Sequence, residues 1–444
     1  MGIYILILAL TIMFIMAYFF GKKDILSPFV IVVAMYLLSS LIAGIYMKEW
    51  QFSLSYFTVI LIITALLIFG IGELIARKTC DIVVTPVSKE NEEKRIEVPT
   101  LVLLIIIAFF LLCLLVAIRE TYALSVKGGN TEGYSAMMTY ARKMTLESGY
   151  SRSRIMNHMM VFTKAVAFIL GWVWINNFVY KKIKLSDNLC LVAIIISFGI
   201  QAIASASRGF AIDWVAYFCL LYFLKLSKAN GWKNINPIRI IILGVVAILT
   251  FMILFVFLGV LADRFGGSKI IDTIAFYLGM SIPSLDHFVK TFTSEVRNFG
   301  EETLYGIYAI LNKFDLSSLD LSRHLEFVDF NGVSGNVYTS LRRYIHDYGY
   351  IGLYIVQFYI GVFYGFFYNL VRKRSNEALL VGYSVLAYSL VMQGIDEILI
   401  SNYVSISGIN LYLYMLVAYF LIIKLPRVLK NKWRNKRLGG YKGK

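Results

Sequence analysis

The residues best suited to chemistry lie together in one polar stretch of an otherwise apolar chain. Residues 336–353 read NVYTSLRRYIHDYGYIGL, with two adjacent arginines, a histidine, an aspartate and several tyrosines. Guanidinium groups bind phosphate through paired hydrogen bonds and stay ionised at neutral pH. Histidine and aspartate side chains can accept a proton. The stretch therefore predicts a site that holds a phosphorylated substrate and moves a proton.

Helical spacing would order these side chains, because residues four apart share one face of a helix. If residues 336–348 are helical, two faces result, with Tyr338, Arg342 and His346 on one and Thr339, Arg343 and Asp347 on the other. Two interpretations of the second face stay open. Arg343 and Asp347 could form a plain surface ion pair worth about 0.3–0.5 kcal/mol, or Asp347 could orient Arg343 toward a substrate. Asn336 could likewise be only a helix N-cap.

Two more arginines are predicted at the same membrane face. Arg208 lies in SASRG and Arg264 in LADRFGG, each at the end of a predicted membrane span. Glycines beside them would let the backbone approach a ligand closely. Each arginine alone could be a snorkelling surface residue. Together with Arg342 and Arg343, they predict a binding site for a diphosphate at the headgroup level of a membrane.

The elements that must position these residues are membrane helices. The chain of 444 residues is 59% hydrophobic and 16% charged, with a mean hydropathy of +0.72. Such a composition with repeated apolar runs near 20 residues is typical of a polytopic helical membrane protein. We predict about eleven spans (ten to twelve), at 3–20, 28–47, 54–76, 100–118, 156–180, 187–204, 209–226, 238–261, 351–371, 378–397 and 402–423.

Charge distribution predicts the orientation of these spans. With the basic tail in the cytoplasm, 26 of the 43 Lys and Arg residues lie on the inner side and 16 on the outer side. The N-terminus is then outside and the C-terminus inside. The net charge of +16 therefore indicates membrane topology and not nucleic-acid binding. We divide the chain into an N-terminal membrane bundle of about eight helices, an extracytoplasmic loop with short amphipathic helices, C-terminal membrane helices and a cytoplasmic tail, at residues 1–261, 262–350, 351–424 and 425–444.

Metal and disulfide sites are not predicted. The four cysteines have no paired spacing and the four histidines have no ligand spacing. Lys164 and Asp213, both within spans, could pair with each other or with a ligand. A general base could come from any of several outer groups, namely Asp263, Asp286, Glu301, Glu326, Asp347, Asp396, Glu397, His287, His324 and His346.

Three motifs in this order resemble the bacterial oligosaccharide repeat unit polymerases, also called O-antigen or Wzy-type polymerases. They are SASRG, AFYLGMSIPSLDHF and GNVYTSLRRYIHDYGYIG. Members of that family have about a dozen spans, a Ser-Arg pair after a middle helix and a long outer loop that ends in an Asn-x-Tyr-Thr…Arg…Tyr…Asp-Phe-Gly-like segment. Tyr348 stands here where Phe is more usual. The motifs cover about a fifth of the chain.

The resemblance implies a GT-C-like membrane glycosyltransferase of the bacterial cytoplasmic membrane, with its active site on the periplasmic or extracellular face. Its substrates would be undecaprenyl-diphosphate-linked oligosaccharides, joined by inverting transfer into O-antigen, capsule or exopolysaccharide. A chain-length regulator and a flippase are candidate partners, and no cofactor or metal is expected. We predict Asp347, Arg343 and His346 as catalytic residues, and as substrate-binding residues Arg208, Arg264, Tyr277, Asn336, Tyr338, Thr339, Arg342 and Tyr344. Arg264 and His346 follow from the residues alone, whereas the others match the family motifs, Tyr277 more loosely.

Two other functions fit the same layout less well. A flippase or other transporter typically has internal repeats and spans broken by Gly or Pro near the midplane. All six prolines here lie at span ends or in loops, and a carrier does not need the long outer loop. An O-antigen ligase would share the architecture and the donor and differ in its acceptor.

Overall fold

The computed structural model is built almost entirely of α-helices. It describes all residues except a set of segments, at 86–94, 148–151, 206–208, 233–243, 245, 247–249, 251–252, 255–269, 294–297, 320–324, 375 and 432–444. Two short antiparallel strands, Val328–Phe330 and Val333–Gly335, form a hairpin that turns at Asn331 and Gly332. Positive φ at both turn residues suits the tight turn of a two-residue hairpin loop.

Nine helices in the described part of the chain are long and apolar enough to cross a membrane, at Gly2–Phe20, Pro28–Tyr46, Tyr56–Val83, Thr100–Lys127, Arg154–Val179, Leu185–Ser205, Gly209–Ala229, Ser340–Arg374 and Ile406–Asn431. Each coincides with a predicted span, so an all-α polytopic membrane protein is confirmed. Shorter helices occupy Met137–Glu147, Ile270–Gly279, Ser281–Thr291, Tyr305–Lys313, Glu377–Leu386, Tyr388–Met392 and Leu399–Tyr403.

The two remaining predicted spans have different outcomes. The span at 238–261 lies mostly outside the described residues. The span at 378–397 is not one continuous helix, because it breaks after Leu386. The carbonyl oxygen of Leu386 accepts hydrogen bonds from the hydroxyls of Tyr364 (2.8 Å) and Ser389 (2.9 Å), and the helix stops there. The count of eleven spans and the GT-C-like architecture stay predictions.

The chain forms two compact units. The first comprises residues 1–89, 230–241 and 267–406, and the second comprises 90–229, 242–266 and 407–444. The four-part division predicted from hydropathy concerns membrane topology and stays a prediction.

In the first unit, the helix Ser340–Arg374 packs closely along the helix Tyr56–Val83. A Cβ on Gly361 would lie 2.1 Å from the Phe69 carbonyl oxygen, and one on Gly72 would lie 2.3 Å from that of Phe358. Only glycine fits at such distances, as in small-residue contacts between membrane helices. This contact fixes the long helix that carries the RRYIHD segment.

The helix Ser340–Arg374 is kinked at Gly349, where φ is 67° and ψ is −175°. That combination is essentially restricted to glycine, so the residue type dictates the kink. The helix begins at Ser340, and residues 336–339 lie outside it. A helix over all of 336–348 does not form, and Asn336 is not the N-cap of this helix. We refer to Ser340–Arg374 as the kinked helix.

The second unit is held together by its own apolar and aromatic core. The rings of Phe168 and Tyr217 stack at 3.9 Å between the helices Arg154–Val179 and Gly209–Ala229. Lys164 and Asp213 form an ion pair between the same two helices, which confirms that they pair with each other. Burial of either charge alone would be costly. The pairing therefore explains how the two helices tolerate one buried charge each.

Candidate functional site

The candidate site lies in the first unit at the N-terminal end of the kinked helix. Three chain segments meet that end: residues 301–304, the β-hairpin with its flanks, and residues 393–397. Ser340 fixes the helix start, because its N–H donates to the Gln393 carbonyl (3.0 Å) and its hydroxyl donates to the Gln393 side chain (2.6 Å). The adjacent arginines are thereby held next to all three segments.

Arg342 is buried between carboxylates and aromatic rings. Its guanidinium donates hydrogen bonds to Glu302 and, at 2.6 Å, to Glu326. It also lies over the rings of Phe288 and Tyr338, with distances of 4.7 and 5.5 Å to their centroids. Stacked arginines of this kind keep a fixed plane, which presets the direction of their remaining N–H groups.

Arg343 is equally buried and shares one carboxylate with its neighbour. Its Nε donates to Asp396 at 3.2 Å, and one terminal nitrogen lies 3.4 Å from Glu302 Oε2. Glu302 therefore bridges the two guanidinium groups. The Glu302 side chain is only 11% exposed, whereas those of Glu326 and Asp396 are 48% and 36% exposed. Each arginine thus has one buried carboxylate partner and one at the rim.

Asp347 and His346 form a hydrogen-bonded dyad beside the arginines. His346 Nδ1 lies 2.8 Å from Asp347 Oδ1, and the Asp347 side chain is fully buried. The other Asp347 oxygen accepts from the backbone N–H and the hydroxyl of Thr303, both at 2.7 Å, and both oxygens lie 3.2 Å from the Glu302 N–H. A carboxylate with this many donors is held ionised and immobile. His346 Nε2 faces Glu302 Oε1 at 3.4 Å.

The predicted pairing of Arg343 with Asp347 is wrong. Their described ion pairs go to different partners: Arg343 contacts Asp396 and Glu302, and Asp347 contacts His346. Thr303, whose hydroxyl also bonds Tyr348 at 2.6 Å, competes for the same carboxylate. Because the loop at 301–304 folds against this helix face, Asp347 turns to the loop and away from Arg343.

Glu397 is buried next to Asp396 in the segment 393–397. Its two carboxylate oxygens accept the N–H groups of Ile400 (2.7 Å) and Ser401 (2.9 Å) at the start of the helix Leu399–Tyr403. The hydroxyl of Tyr344 approaches it at 3.4 Å. Complete burial raises the pKa of Glu397, although these N–H donors oppose the shift. Glu397 therefore caps the helix Leu399–Tyr403.

Three of these residues could also offer ligands to a metal. One atom each of Glu302, His346 and Asp347 lies within 4.8 Å of the others. The prediction of histidines without ligand spacing overlooked this set, because residues far apart in sequence form it. Two guanidinium groups contact the same Glu302 carboxylate, however, and they disfavour a divalent cation there.

The other predicted site residues differ in where the structure places them. The ring of Tyr338 is buried against Arg342, and its hydroxyl donates to the Glu326 carbonyl at 3.1 Å. Tyr344 is also buried. Asn336 reaches the Leu325 carbonyl at 3.5 Å, and Thr339 is buried beside the helix start. Tyr277 lies in the helix Ile270–Gly279 next to Phe276, and none of its described contacts is with the arginine pair. Arg208 and Arg264 lie outside the described residues.

Glu302 contacts Arg342, Arg343 and His346 and was not among the predicted site residues. The motif GEET contains two glutamates, and only its Glu301 was among the candidate bases. Nothing local distinguishes the pair, since only the fold brings residue 302 to the kinked helix. Comparison of the chain with protein-family models, curated proteins and solved structures gives no match.

Proposed function

We propose that this chain polymerises undecaprenyl-diphosphate-linked oligosaccharide repeat units by inverting glycosyl transfer on the outer face of the bacterial cytoplasmic membrane. The observation that carries this proposal is a buried pair of guanidinium groups beside an aspartate–histidine dyad. The first feature suits a diphosphate leaving group and the second suits deprotonation of an acceptor hydroxyl. The motif resemblance to oligosaccharide repeat unit polymerases gives the substrate class.

The arginines would bind the diphosphate by exchanging partners. Glu326 and Asp396 are partly exposed, so they can turn to water when phosphate oxygens replace them. Glu302 is buried and stays, keeping both guanidinium planes in place. Preorganised donors of this kind stabilise charge that develops on a leaving group. The two arginines therefore favour departure of the lipid diphosphate.

The dyad would supply the base. Asp347, by accepting the Nδ1–H of His346, leaves the Nε2 lone pair as the base, and the acceptor hydroxyl would have to reach Nε2 beside Glu302 Oε1, which lies 3.4 Å from it. The hydroxyl oxygen then forms a bond to the anomeric carbon, and the bond from that carbon to the diphosphate oxygen breaks. The electron pair leaves with the lipid diphosphate, whose charge the arginines balance. Attack from the face opposite the leaving group inverts the anomeric configuration.

The test is polymerisation by purified protein supplied with lipid-linked repeat units. Arg342→Lys and Arg343→Lys keep the charge and lose the two-pronged geometry. We expect each to shorten the product severely and to cut the rate about 10²-fold or more, the loss typical of one removed transition-state donor. The matched control is Arg372→Lys at the other end of the kinked helix, where Arg372 pairs with Asp24 at 2.8 Å. This variant should make polymer of normal length.

Three outcomes would contradict the proposal. Normal polymer from both Arg342→Lys and Arg343→Lys would mean that the arginines only hold the fold. Transfer of the lipid-linked unit across the bilayer without bond formation would favour a flippase. Attachment of whole polymer to a lipid A core without chain growth would favour a ligase.

A further inference from the structure

The short helix Tyr305–Lys313 in the first unit carries an apolar stripe that is only partly buried. Ile307 and Leu311 in the helix and Phe314 directly after it are spaced at i, i+4 and i+7, so their side chains share one side. Gly306 is the only residue of this helix that is buried. Ile307 is 36% exposed and Phe314 is 70% exposed. An amphipathic helix on a soluble protein normally turns such a stripe toward a core.

The helix lies against the start of a membrane span. A Cβ on Gly306 would lie only 2.6 Å from the Cβ of Ser405, the residue before the span Ile406–Asn431. Glycine permits this approach, as in other close contacts of membrane helices. The side chains of Val404 and Ile406 are 45% and 40% exposed. Exposed apolar side chains therefore lie on both sides of the contact, Ile307 on the short helix and Val404 and Ile406 at the span.

The remaining residues of the short helix suit a boundary between lipid and water. Tyr305 and Tyr308 combine an apolar ring with a polar hydroxyl, and tyrosine is enriched where a membrane meets water. Lys313 and Asp315 at the far end are exposed. The nine residues of the helix span about 14 Å, too short to cross a hydrocarbon core of about 30 Å. A short helix with one apolar side and a polar remainder is typical of a helix that lies on a membrane surface.

We propose that the stripe of Ile307, Leu311 and Phe314 binds the surface of the lipid bilayer, in the leaflet where the span Ile406–Asn431 begins. Transfer of these side chains from water to the boundary between headgroups and acyl chains provides the free energy of binding. The partner is the lipid surface itself, because the stripe lies next to the end of a helix that lipid already surrounds. This inference goes beyond the proposed function, since the contact with lipid does not depend on the reaction.

Binding to the bilayer would fix the depth of the candidate site. Glu302 and Thr303 lie just before the short helix, where Glu302 contacts Arg342 and Thr303 donates to Asp347. A helix held at the level of the headgroups would therefore hold the arginine pair near the level of lipid diphosphates. This consequence, unlike the contact with lipid, rests on the proposed function.

The test measures the surroundings of spin labels on the full-length protein in nanodiscs. A single cysteine replaces Ile307 or Phe314 in a variant without the four native cysteines, and a nitroxide is attached to it. Collisions of the label with oxygen, which concentrates in lipid, are compared with collisions with a nickel chelate, which stays in water. We expect labels at both positions to favour oxygen and to lie about 5–10 Å into the boundary between headgroups and acyl chains.

Two control positions should report water. Lys313→Cys lies next to Phe314 and is also exposed, and Asn331→Cys lies at the turn of the hairpin. Labels at both should collide more often with the nickel chelate than with oxygen. In the polymerisation assay, Phe314→Ser should raise the KM for lipid-linked units several-fold and leave kcat unchanged, whereas Lys313→Ser should change neither.

The collision measurements separate this inference from the proposed function. If the label at Phe314 collides with the nickel chelate as readily as the label at Lys313, the stripe lies in water and the inference is wrong. If the label at Phe314 is shielded from both reagents, protein covers the stripe and the inference is also wrong. A lipid-facing label on a protein that makes no polymer would keep the contact with lipid and refute only the proposed function. A lipid-facing label with an unchanged KM in Phe314→Ser would keep the contact and overturn its effect on the site.

Discussion

Replacing Asp347 by asparagine tests the dyad most directly, since the buried contacts of Asp347 restrict how the new amide can lie. With the amide oxygen toward Thr303, both bonds from that residue survive, and the NH₂ group faces His346 Nδ1. The opposite orientation sets the NH₂ group against the Thr303 N–H and leaves two donors without an acceptor. The first orientation is therefore preferred.

That orientation changes the tautomer of His346. An amide NH₂ can only donate, so Nδ1 must accept and the proton moves to Nε2. His346 then faces the acceptor hydroxyl with a donor and can no longer act as its base. Loss of a general base lowers the rate about 10²–10⁴-fold. The folded state loses charge-assisted hydrogen bonds and keeps neutral ones, at a cost of about 1–3 kcal/mol.

The assay is a double-mutant cycle on the polymerisation rate. His346→Gln removes the base and should cause a loss of the same size as Asp347→Asn. If Asp347 acts only through His346, the double variant should be no slower than His346→Gln alone, because residues that act as a unit are not additive. Diphosphate binding should stay within about threefold in all three variants, because the arginines are unchanged.

A matched control separates this effect from general loss of a buried aspartate. Asp286 is also buried and also accepts hydrogen bonds from hydroxyls, those of Ser55 (2.6 Å) and Thr58 (2.7 Å). Burial would raise its pKa, but Lys290, Ser55 and Thr58 together hold that pKa below its ordinary value. Asp286→Asn should lower thermal stability without changing the rate. Multiplicative losses in the cycle, or an equal rate loss in Asp286→Asn, would refute the dyad.

Two further predictions concern the kink and the topology. Gly349→Ala forces a side chain into a glycine-only conformation, so we expect it to cost about 1–3 kcal/mol of thermal stability. Gly382→Ala, where a Cβ meets Phe367 at an ordinary 3.8 Å, should cost nothing measurable, and equal melting temperatures for the two would contradict the argument. In intact cells of a variant without native cysteines, a cysteine at Asn331 should react with an impermeant thiol reagent and one at Lys430 should not. The reverse labelling would invert the topology and remove the site from the outer face.

The membrane helices could be predicted from the sequence because each depends on local composition. Runs such as 100–118 contain no charge, and a long apolar run can satisfy its backbone in lipid only as a helix. The break after Leu386 could not be predicted, because it depends on the hydroxyl of Tyr364 reaching across from another helix. Short-range sequence patterns do not predict a contact between two different helices.

The candidate site was predictable in its residue types and not in its pairings. Arg342, Arg343, His346 and Asp347 do lie together, since their sequence neighbourhood and one helix already bring them close. Helical spacing suggested Arg343 as the partner of Asp347, and a loop 44 residues away provides Thr303 in its place. Local spacing gives the contacts that are available on one element, and packing decides which of them form.

Three carboxylates surround the two arginines, which gives this part of the site an excess of negative charge. A buried guanidinium without partners would be strongly destabilising, so an empty anion site needs carboxylates to hold it. Glu302 does this permanently and fixes the direction of both arginines. In the proposed reaction, Glu326 and Asp396 would do so only until a diphosphate binds, because both side chains are partly exposed and can turn to water. The Asp347 side chain of the dyad, in contrast, is fully buried, so water cannot replace its hydrogen-bond partners. Glycosyl transfer must stabilise the leaving group and deprotonate the acceptor. Carboxylates that can leave the arginines would suit the first demand, and an aspartate fixed beside His346 would suit the second.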